Sequence, residues 1–123
     1  MVVDPVLNKI LSKSYNQNRK KNNPCAHAEI ESILKACKIL KKPRLDGLDL
    51  YTSLEPCLMC ASVIFQTKLK RVYFCIEDKK NGALINNYKL SFKTHLNHKL
   101  EVYYGFHQDK FYKILKKFFK LKR

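Results

Sequence analysis

Long hydrophobic runs are missing from this chain. No apolar stretch approaches the roughly 18 residues that a membrane-spanning helix needs, so the sequence predicts no transmembrane segment. The first residues, MVVDPVLNKIL, contain no basic n-region, and a secretory signal peptide is therefore not expected. These absences predict a cytoplasmic protein with no membrane partner.

Acidic residues are also scarce. The chain of 123 residues has 10 Asp and Glu against 25 Lys and Arg, which gives a formal net charge of +15. A drift of codon usage toward A and T would favour lysine, but it does not explain the shortage of carboxylates. Clustered basic side chains neutralise phosphates, so the charge favours a nucleic-acid partner.

Cysteine is present in an odd number, which does not suggest a disulfide framework. There are five cysteines, and Cys37 and Cys75 fall inside apolar patterns that are typical of small core residues. The composition, 46% hydrophobic and 28% charged, is typical of a globular protein. No repeat or linker interrupts the chain, so residues 1–123 are expected to form a single domain.

The periodicity of apolar residues predicts an α/β fold. Helical spacing is found over 27–40, over 57–66 and from 107 onward. Short strands are expected as a hairpin within 2–16, and at 48–53, 71–77 and 99–105. Strands that alternate with helices predict a sheet with helices packed on its faces.

The predicted C-terminal helix has two unlike faces. The apolar face, expected to pack on the core, consists of Phe111, Ile114, Leu115, Phe118 and Leu121. The basic face, which either lines an RNA path or is simply solvated, consists of Lys110, Lys113, Lys116, Lys117, Lys120, Lys122 and Arg123. Phe119 lies off the apolar stripe and is a candidate contact for RNA or a second subunit.

The chain contains one CxxC pair, Cys57 and Cys60, at the start of the second predicted helix. On a helix the two sulfurs lie on one face about a turn apart, which suits a tetrahedral metal, and the helix dipole favours thiolates there. A redox pair is the alternative reading, although Leu58 and Met59 stand where thioredoxin-like motifs usually carry Pro or Gly.

His27 is the best candidate for a third metal ligand. It lies at the start of another predicted helix, and one neutral imidazole with two thiolates is a ligand set that zinc favours. Three protein ligands and an open position are typical of catalytic zinc, and Glu29 is placed to move protons from outside the ligand set. The alternatives are a capping or surface His27, or a four-ligand structural zinc that also uses Cys25, Cys37 or Cys75.

The two segments together are more specific than either alone. His27-Ala28-Glu29 followed by Pro-Cys57-x-x-Cys60 fits the H-x-E…P-C-x-x-C signature of zinc deaminases, in which Glu is the acid/base and not a ligand. Over roughly residues 10–123 the chain resembles bacterial tRNA adenosine deaminases, in the segments NPCAHAEI, TSLEPCLMCASVIF, KRVYFCIEDKKNGA and LNHKLEV. Cytidine deaminases are less similar, because their first motif begins with cysteine.

The resemblance implies a three-layer α/β/α cytidine-deaminase-like fold with a central mixed sheet of about five strands. It implies one zinc ion per subunit, held by His27, Cys57 and Cys60, and Glu29 as the catalytic proton shuttle. The implied reaction is the hydrolytic deamination of adenosine to inosine at the wobble position of a tRNA anticodon, by a homodimer in which both subunits shape each site.

The resemblance also implies a set of substrate-binding residues, Asn16, Ala28, Asp78, Lys80 and Asn97. Asn16 would hydrogen-bond the base or its ribose, the backbone at Ala28 would contact the base edge, and the others would flank the anticodon nucleotides. The alternative for Lys80 is an ordinary surface lysine. Glu55, beside the metal-bearing helix, is expected to be a helix-start carboxylate.

One departure from the family concerns its N-terminal helix, which is missing here, so that Met1 falls inside what would be the first strand. We therefore expect an uncovered sheet face with exposed apolar surface, while every zinc residue lies downstream. Two alternatives stay open: a deaminase of free bases or nucleosides (guanine or cytosine), and a truncated, inactive RNA-binding relative.

Overall fold

The computed structural model describes residues 1–93 and 95–121 and contains a five-stranded mixed sheet in the order β2-β1-β3-β4-β5. The strands are β1 (Val2–Asp4), β2 (Lys9–Ser12), β3 (Asp49–Leu54), β4 (Arg71–Ile76) and β5 (Glu101–Tyr104). The helices are α1 (Ala28–Leu40), α2 (Leu58–Gln66) and α3 (Gln108–Leu121), with a short 3₁₀ turn at Leu90–Phe92. This arrangement confirms the predicted fold class.

The first two strands form the predicted hairpin, although both are shorter than the 2–16 segment suggested. β1 pairs antiparallel with β2 and with β3, whereas β3, β4 and β5 run parallel to one another. The carboxylate of Asp4 accepts hydrogen bonds from the N–H groups of Val6 and Leu7 at 2.9 and 3.1 Å, which fixes the turn. Because β3 and β4 are parallel neighbours, their carboxyl ends lie at the same edge of the sheet.

The core lies between the sheet and helices α1 and α2. Leu50 and Val72 from the sheet, Ile33 from α1 and Ile64 from α2 are fully buried in it. Side chains alternate along a strand, so the residues next to these in β3 and β4 point to the opposite face. There, α3 packs against β4.

That opposite face carries a ladder of tyrosines. Tyr51, Tyr73 and Tyr103 stack across three neighbouring strands, with ring centroids 4.5 and 5.2 Å apart. Tyr51 and Tyr103 remain partly exposed, as expected for a sheet face that is incompletely covered. The backbone of Met1 pairs with that of Tyr51, which continues the ladder between β1 and β3.

The expectation that the apolar stripe of α3 is core was wrong in part. Phe111 and Leu115 are partly buried, but Ile114 and Phe118 are half exposed. The predictions for Lys122 and Arg123, and for the side chains of Phe119 and Leu121, concern parts of the chain outside those that the structure describes. In the described part of the chain, no helix combines the length and the hydropathy required to cross a bilayer.

Candidate active site

A cleft of about 920 Å³ opens at the carboxyl edge of β3 and β4. Parallel strands place their following loops at one edge, and this is where open α/β sheets usually bind ligands. Here β3 leads through Glu55 and Pro56 into α2, while β4 leads into the loop that begins at Glu77. The cleft is lined by residues of both connections and by His27 and Glu29.

Two helix starts meet at the floor of this cleft. His27 is the N-cap of α1 and Cys57 is the N-cap of α2, both with extended backbone, and neither side chain caps its own helix. Cys60 lies one turn into α2 and is fully buried. The side chains that would ordinarily satisfy the first N–H groups of a helix thus point at one another instead.

The three predicted ligand atoms are spaced for one tetrahedral metal. His27 Nδ1 lies 3.7 Å from Cys57 Sγ and 3.5 Å from Cys60 Sγ. Zn–S bonds of about 2.3 Å and a Zn–N bond of about 2.0 Å separate nitrogen and sulfur by about 3.5 Å around a tetrahedral ion. The ligand atoms of all three residues lie within 4.8 Å of one another, so one zinc ion can be reached by all three side chains.

The other cysteines do not join this cluster. All five are free, and among the described residues the group able to hold a metal consists of His27, Cys57 and Cys60 alone. The exposed Cys25, two residues before His27, is not part of it. Three ligands leave one position of a tetrahedral ion for solvent, which is the catalytic pattern.

Burial dominates the electrostatics of Cys60. It raises the pKa of the thiol far above its ordinary value, and the neighbouring Glu29 and Cys57 raise it further. Without a metal, this thiol therefore keeps its proton, and a bound cation has to displace it.

Glu29 lies beside the ligand cluster and not within it. Its Oε2 is 3.8 Å from Cys60 Sγ, and its Oε1 accepts a hydrogen bond of 3.2 Å from the hydroxyl of Thr52. The carboxylate is only partly buried and lines the cleft. A carboxylate next to the open side of a metal site can take a proton from water and deliver it to a substrate.

The comparisons with known proteins agree with this chemistry. The MafB19-like deaminase family model matches residues 2–123. The tRNA-specific adenosine deaminase of Rickettsia bellii is 39% identical over 120 residues, which cover 98% of this chain and 83% of that protein. The chain belongs to the tRNA-specific adenosine deaminase family. It is a hydrolytic deaminase.

Solved structures of two kinds of deaminase share this fold. A structure from a study of A-to-I editing by tRNA:A34 deaminases matches with a TM-score of 0.86 at 34% identity, covering 92% of this chain and 80% of that one. The guanine deaminase of Bacillus subtilis matches with a TM-score of 0.62 at 29% identity, covering 94% and 74%. Of these two structures, the first has the more similar backbone.

Glu55 has a different role in this deaminase from the one that its position suggested. It is 2% exposed and does not cap α2. Its carboxylate accepts hydrogen bonds from the N–H groups of Asp78, Ile85 and Asn86 and from the Asn86 side chain, at 2.7 to 3.0 Å. Gly82 lies so close that a Cβ there would collide with this carboxylate. Glu55 therefore holds both ends of the loop 78–86, which forms one wall of the cleft.

Replacement of Glu55 by glutamine is expected to destabilise this loop. An amide would turn a donor toward N–H groups that need an acceptor, at a cost of roughly 2–4 kcal/mol in the free energy of unfolding, measured by urea denaturation. Glu77→Gln is the matched control, because Glu77 makes one long hydrogen bond of 3.4 Å to Asn86. Equal stability of the two variants would contradict the anchoring role.

The predicted substrate residues are only partly brought together. Asp78 and Lys80 line the cleft, and the Asp78 carboxylate also accepts hydrogen bonds from the N–H groups of Lys80 and Asn81. Ala28 is the first residue of α1, between His27 and Glu29. Asn16 is exposed, and the N–H of the next residue, Gln17, donates to the carbonyl of Ala26, beside His27.

Asn97 lies elsewhere. Its carbonyl accepts a hydrogen bond from Lys68, which follows the C-terminal end of α2, whereas Cys57 marks the start of that helix. A rise of about 1.5 Å per residue separates the two ends of α2 by more than about 13 Å. The neighbouring His98 contacts the carbonyl of Leu69 and packs edge-on against Phe65. The structure therefore does not bring Asn97 into the cleft.

The wall of the cleft also carries an aromatic residue that no sequence motif indicated. Tyr88 is 56% exposed and lines the cleft, next to Asn87, whose side chain donates to the carbonyl of Gly82 at 2.8 Å. An exposed aromatic ring in a polar loop next to the predicted site was the available signal. It did not stand out, because this chain carries 14 Tyr and Phe in all.

Proposed function

We propose that this deaminase converts adenosine to inosine at the wobble position of a tRNA anticodon. The observation that carries this proposal is the agreement between the TM-score of 0.86 to a tRNA:A34 deaminase and a site with His27, Glu29, Cys57 and Cys60 in place. An inactive RNA-binding relative is disfavoured, because no element of the catalytic cluster is lost.

In the proposed mechanism His27 Nδ1 and the sulfurs of Cys57 and Cys60 would hold one zinc ion. When bound, zinc supplies the Lewis acid that activates water for attack on C6 of adenine. Glu29 takes a proton from the attacking water and delivers it to N1 of the ring, and then assists protonation of the departing amine. One water is consumed and one ammonia leaves, so adenosine becomes inosine.

The substrate side of the cleft is proposed to hold an unstacked base from an anticodon stem-loop. A loop nucleotide leaves its stack at low cost, which lets its C6 reach the floor of the cleft. Asn16 and the backbone at Ala28 would contact the flipped nucleotide, with Asp78 and Lys80 beside it. Asn97 would contact RNA only outside the cleft.

The charge of the chain supports an RNA partner. The five lysines of α3 within the described residues are all exposed: Lys110, Lys113, Lys116, Lys117 and Lys120. We further propose that residues 1–123 act as one zinc-dependent domain, that the enzyme works in the cytoplasm, and that it forms a homodimer in which both subunits shape each site. The single core beneath one sheet supports the proposal that these residues act as one domain.

A second candidate is the deamination of free guanine, favoured by the likeness to the guanine deaminase of Bacillus subtilis. The deciding experiment incubates zinc-loaded protein with an anticodon stem-loop that has adenosine at the wobble position, with the same stem-loop in which that adenosine is moved by one nucleotide, and with free guanine and cytosine. We expect inosine only from the stem-loop that has adenosine at the wobble position. Product from the free bases alone would overturn the proposal.

Tyr88 is expected to stack on a nucleotide of the bound loop. Base–aromatic stacking contributes roughly 1–3 kcal/mol per base, so Tyr88→Ala should raise KM for the stem-loop by about tenfold, while Tyr88→Phe should keep it near the parent value. Steady-state kinetics on the stem-loop measure this. If KM is unchanged in Tyr88→Ala, the ring does not contact the substrate.

A further inference from the structure

We propose that Thr52 is the positioning residue for Glu29. Its hydroxyl holds one oxygen of the carboxylate, Oε1, and thereby leaves the other, Oε2, as the oxygen that exchanges protons in the reaction. This inference deepens the proposed function and rests on the role given to Glu29 there.

The strand β3 delivers Thr52 to this position. Leu50, Thr52 and Leu54 point to the same face of the sheet because side chains alternate along a strand. Leu50 is fully buried in the core beneath α1 and α2, and Leu54 lines the metal cleft. Thr52 lies between them, at the boundary between core and cleft, and is partly buried.

The two oxygens of Glu29 have different surroundings. The Thr52 hydroxyl donates to Oε1 at 3.2 Å, while Oε2 lies 3.8 Å from Cys60 Sγ, on the side of the ligand cluster. Within residues 1–93 and 95–121, no other hydrogen bond reaches Oε1. Thr52 is therefore the partner of Oε1, whereas the partner of Oε2 is the Cys60 thiol, which gives up its proton when a metal binds.

A carboxylate without such a partner rotates easily about its last torsion, because that torsion has a broad, two-fold profile. A hydrogen bond to a charged group biases such an equilibrium by roughly tenfold to a hundredfold. The threonine hydroxyl is neutral and can still donate to Oε1 after Oε2 has taken a proton. It can therefore hold Glu29 in one orientation in both protonation states.

The test compares two variants of Thr52. Thr52→Val keeps the shape and removes the hydroxyl, and we expect kcat on the stem-loop to fall about tenfold, with KM within about twofold and zinc content unchanged. Thr52→Ser restores the hydroxyl and should return kcat to within about threefold of the parent. Parental kcat in Thr52→Val, or equal loss in both variants, would overturn the proposal.

Two further measurements separate positioning from a structural effect. In a Glu29→Ala background, Thr52→Val should cause no further loss of kcat, because the group on which it acts is gone. Thr67→Val is the matched control, since it removes a hydroxyl that bonds the carbonyls of Val63 and Ile64 at the far end of α2. This control should lower thermal stability and leave kcat unchanged; a loss of kcat equal to that of Thr52→Val would count against the proposal.

The last readout requires no activity. In zinc-free protein, the changes in unfolding midpoint caused by Thr52→Val and Glu29→Ala should be non-additive, because the two side chains share one hydrogen bond. Strict additivity would overturn the contact itself. If the parent acts on free guanine and not on the stem-loop, the proposed function fails, while the same comparisons on guanine still decide the role of Thr52.

Discussion

Replacement of Glu29 by glutamine is expected to lower kcat on the anticodon stem-loop by about 10²- to 10⁴-fold, the usual contribution of a positioned general acid–base. Glutamine keeps the size of the side chain and can still accept the hydrogen bond from Thr52, but it cannot take up a proton near neutral pH. Zinc content should stay at the parent level, because Glu29 lies outside the ligand cluster.

The matched control for this variant is Glu31→Gln. Glu31 is also in the first turn of α1, but its carboxylate pairs with Lys21 at 2.6 Å and does not line the cleft. The Glu31→Gln variant should be somewhat less stable than the parent and should retain its kcat. Single-turnover rates with zinc-loaded protein measure the difference, and a Glu29→Gln enzyme as fast as the parent would remove Glu29 from the mechanism.

Replacement of Cys60 by alanine is expected to abolish both zinc binding and turnover. Loss of a direct ligand should weaken zinc binding by much more than the roughly 10- to 100-fold that outer-shell changes cause. Cys25→Ala is the control, because Cys25 is exposed and lies two residues from His27 without belonging to the cluster. Metal analysis after dialysis decides the matter, and zinc loss from Cys25→Ala would indicate a four-ligand structural site instead.

Because burial raises the pKa of the Cys60 thiol, we expect zinc binding to depend on pH. Each zinc ion bound should release at least one proton near pH 7, so the apparent affinity should increase with pH. In zinc-free protein the free energy of unfolding changes with pH in the opposite direction. The neutral thiol favours the folded state, and this stabilisation is lost as the pH rises above the pKa of the thiol in the unfolded chain, about 8.5. Calorimetry in buffers of different ionisation enthalpy measures the proton release; zinc binding without it would contradict the prediction.

The sequence predicted the parts of this molecule that depend on local pattern. The spacing of Cys57 and Cys60 and the apolar period of 27–40 are read from neighbouring residues, and they located α1, α2 and the CxxC pair correctly. The combination with His27 required a known signature, since nothing local shows that residues 27 and 57 meet.

What the sequence did not show depends on long-range packing. The role of Glu55 rests on N–H groups of a loop more than 20 residues away, and backbone donors leave no trace in residue type. The period of α3 shows which side chains share a face, but not which of them are buried, and Ile114 and Phe118 remain half exposed. The position of Asn97 follows from how its loop returns to the end of α2, which adjacency to His98 does not reveal.

The meeting of two helix starts at one point has a consequence for the unfolded chain. His27 and Cys57 are 30 residues apart, so an ion that coordinates both side chains closes a loop of that length, as a covalent cross-link would. Closure of a loop removes conformational entropy from the unfolded ensemble and favours the native state without any new apolar contact. In a basic chain of this size, a bound ion would then also stabilise the packing of α1 against α2.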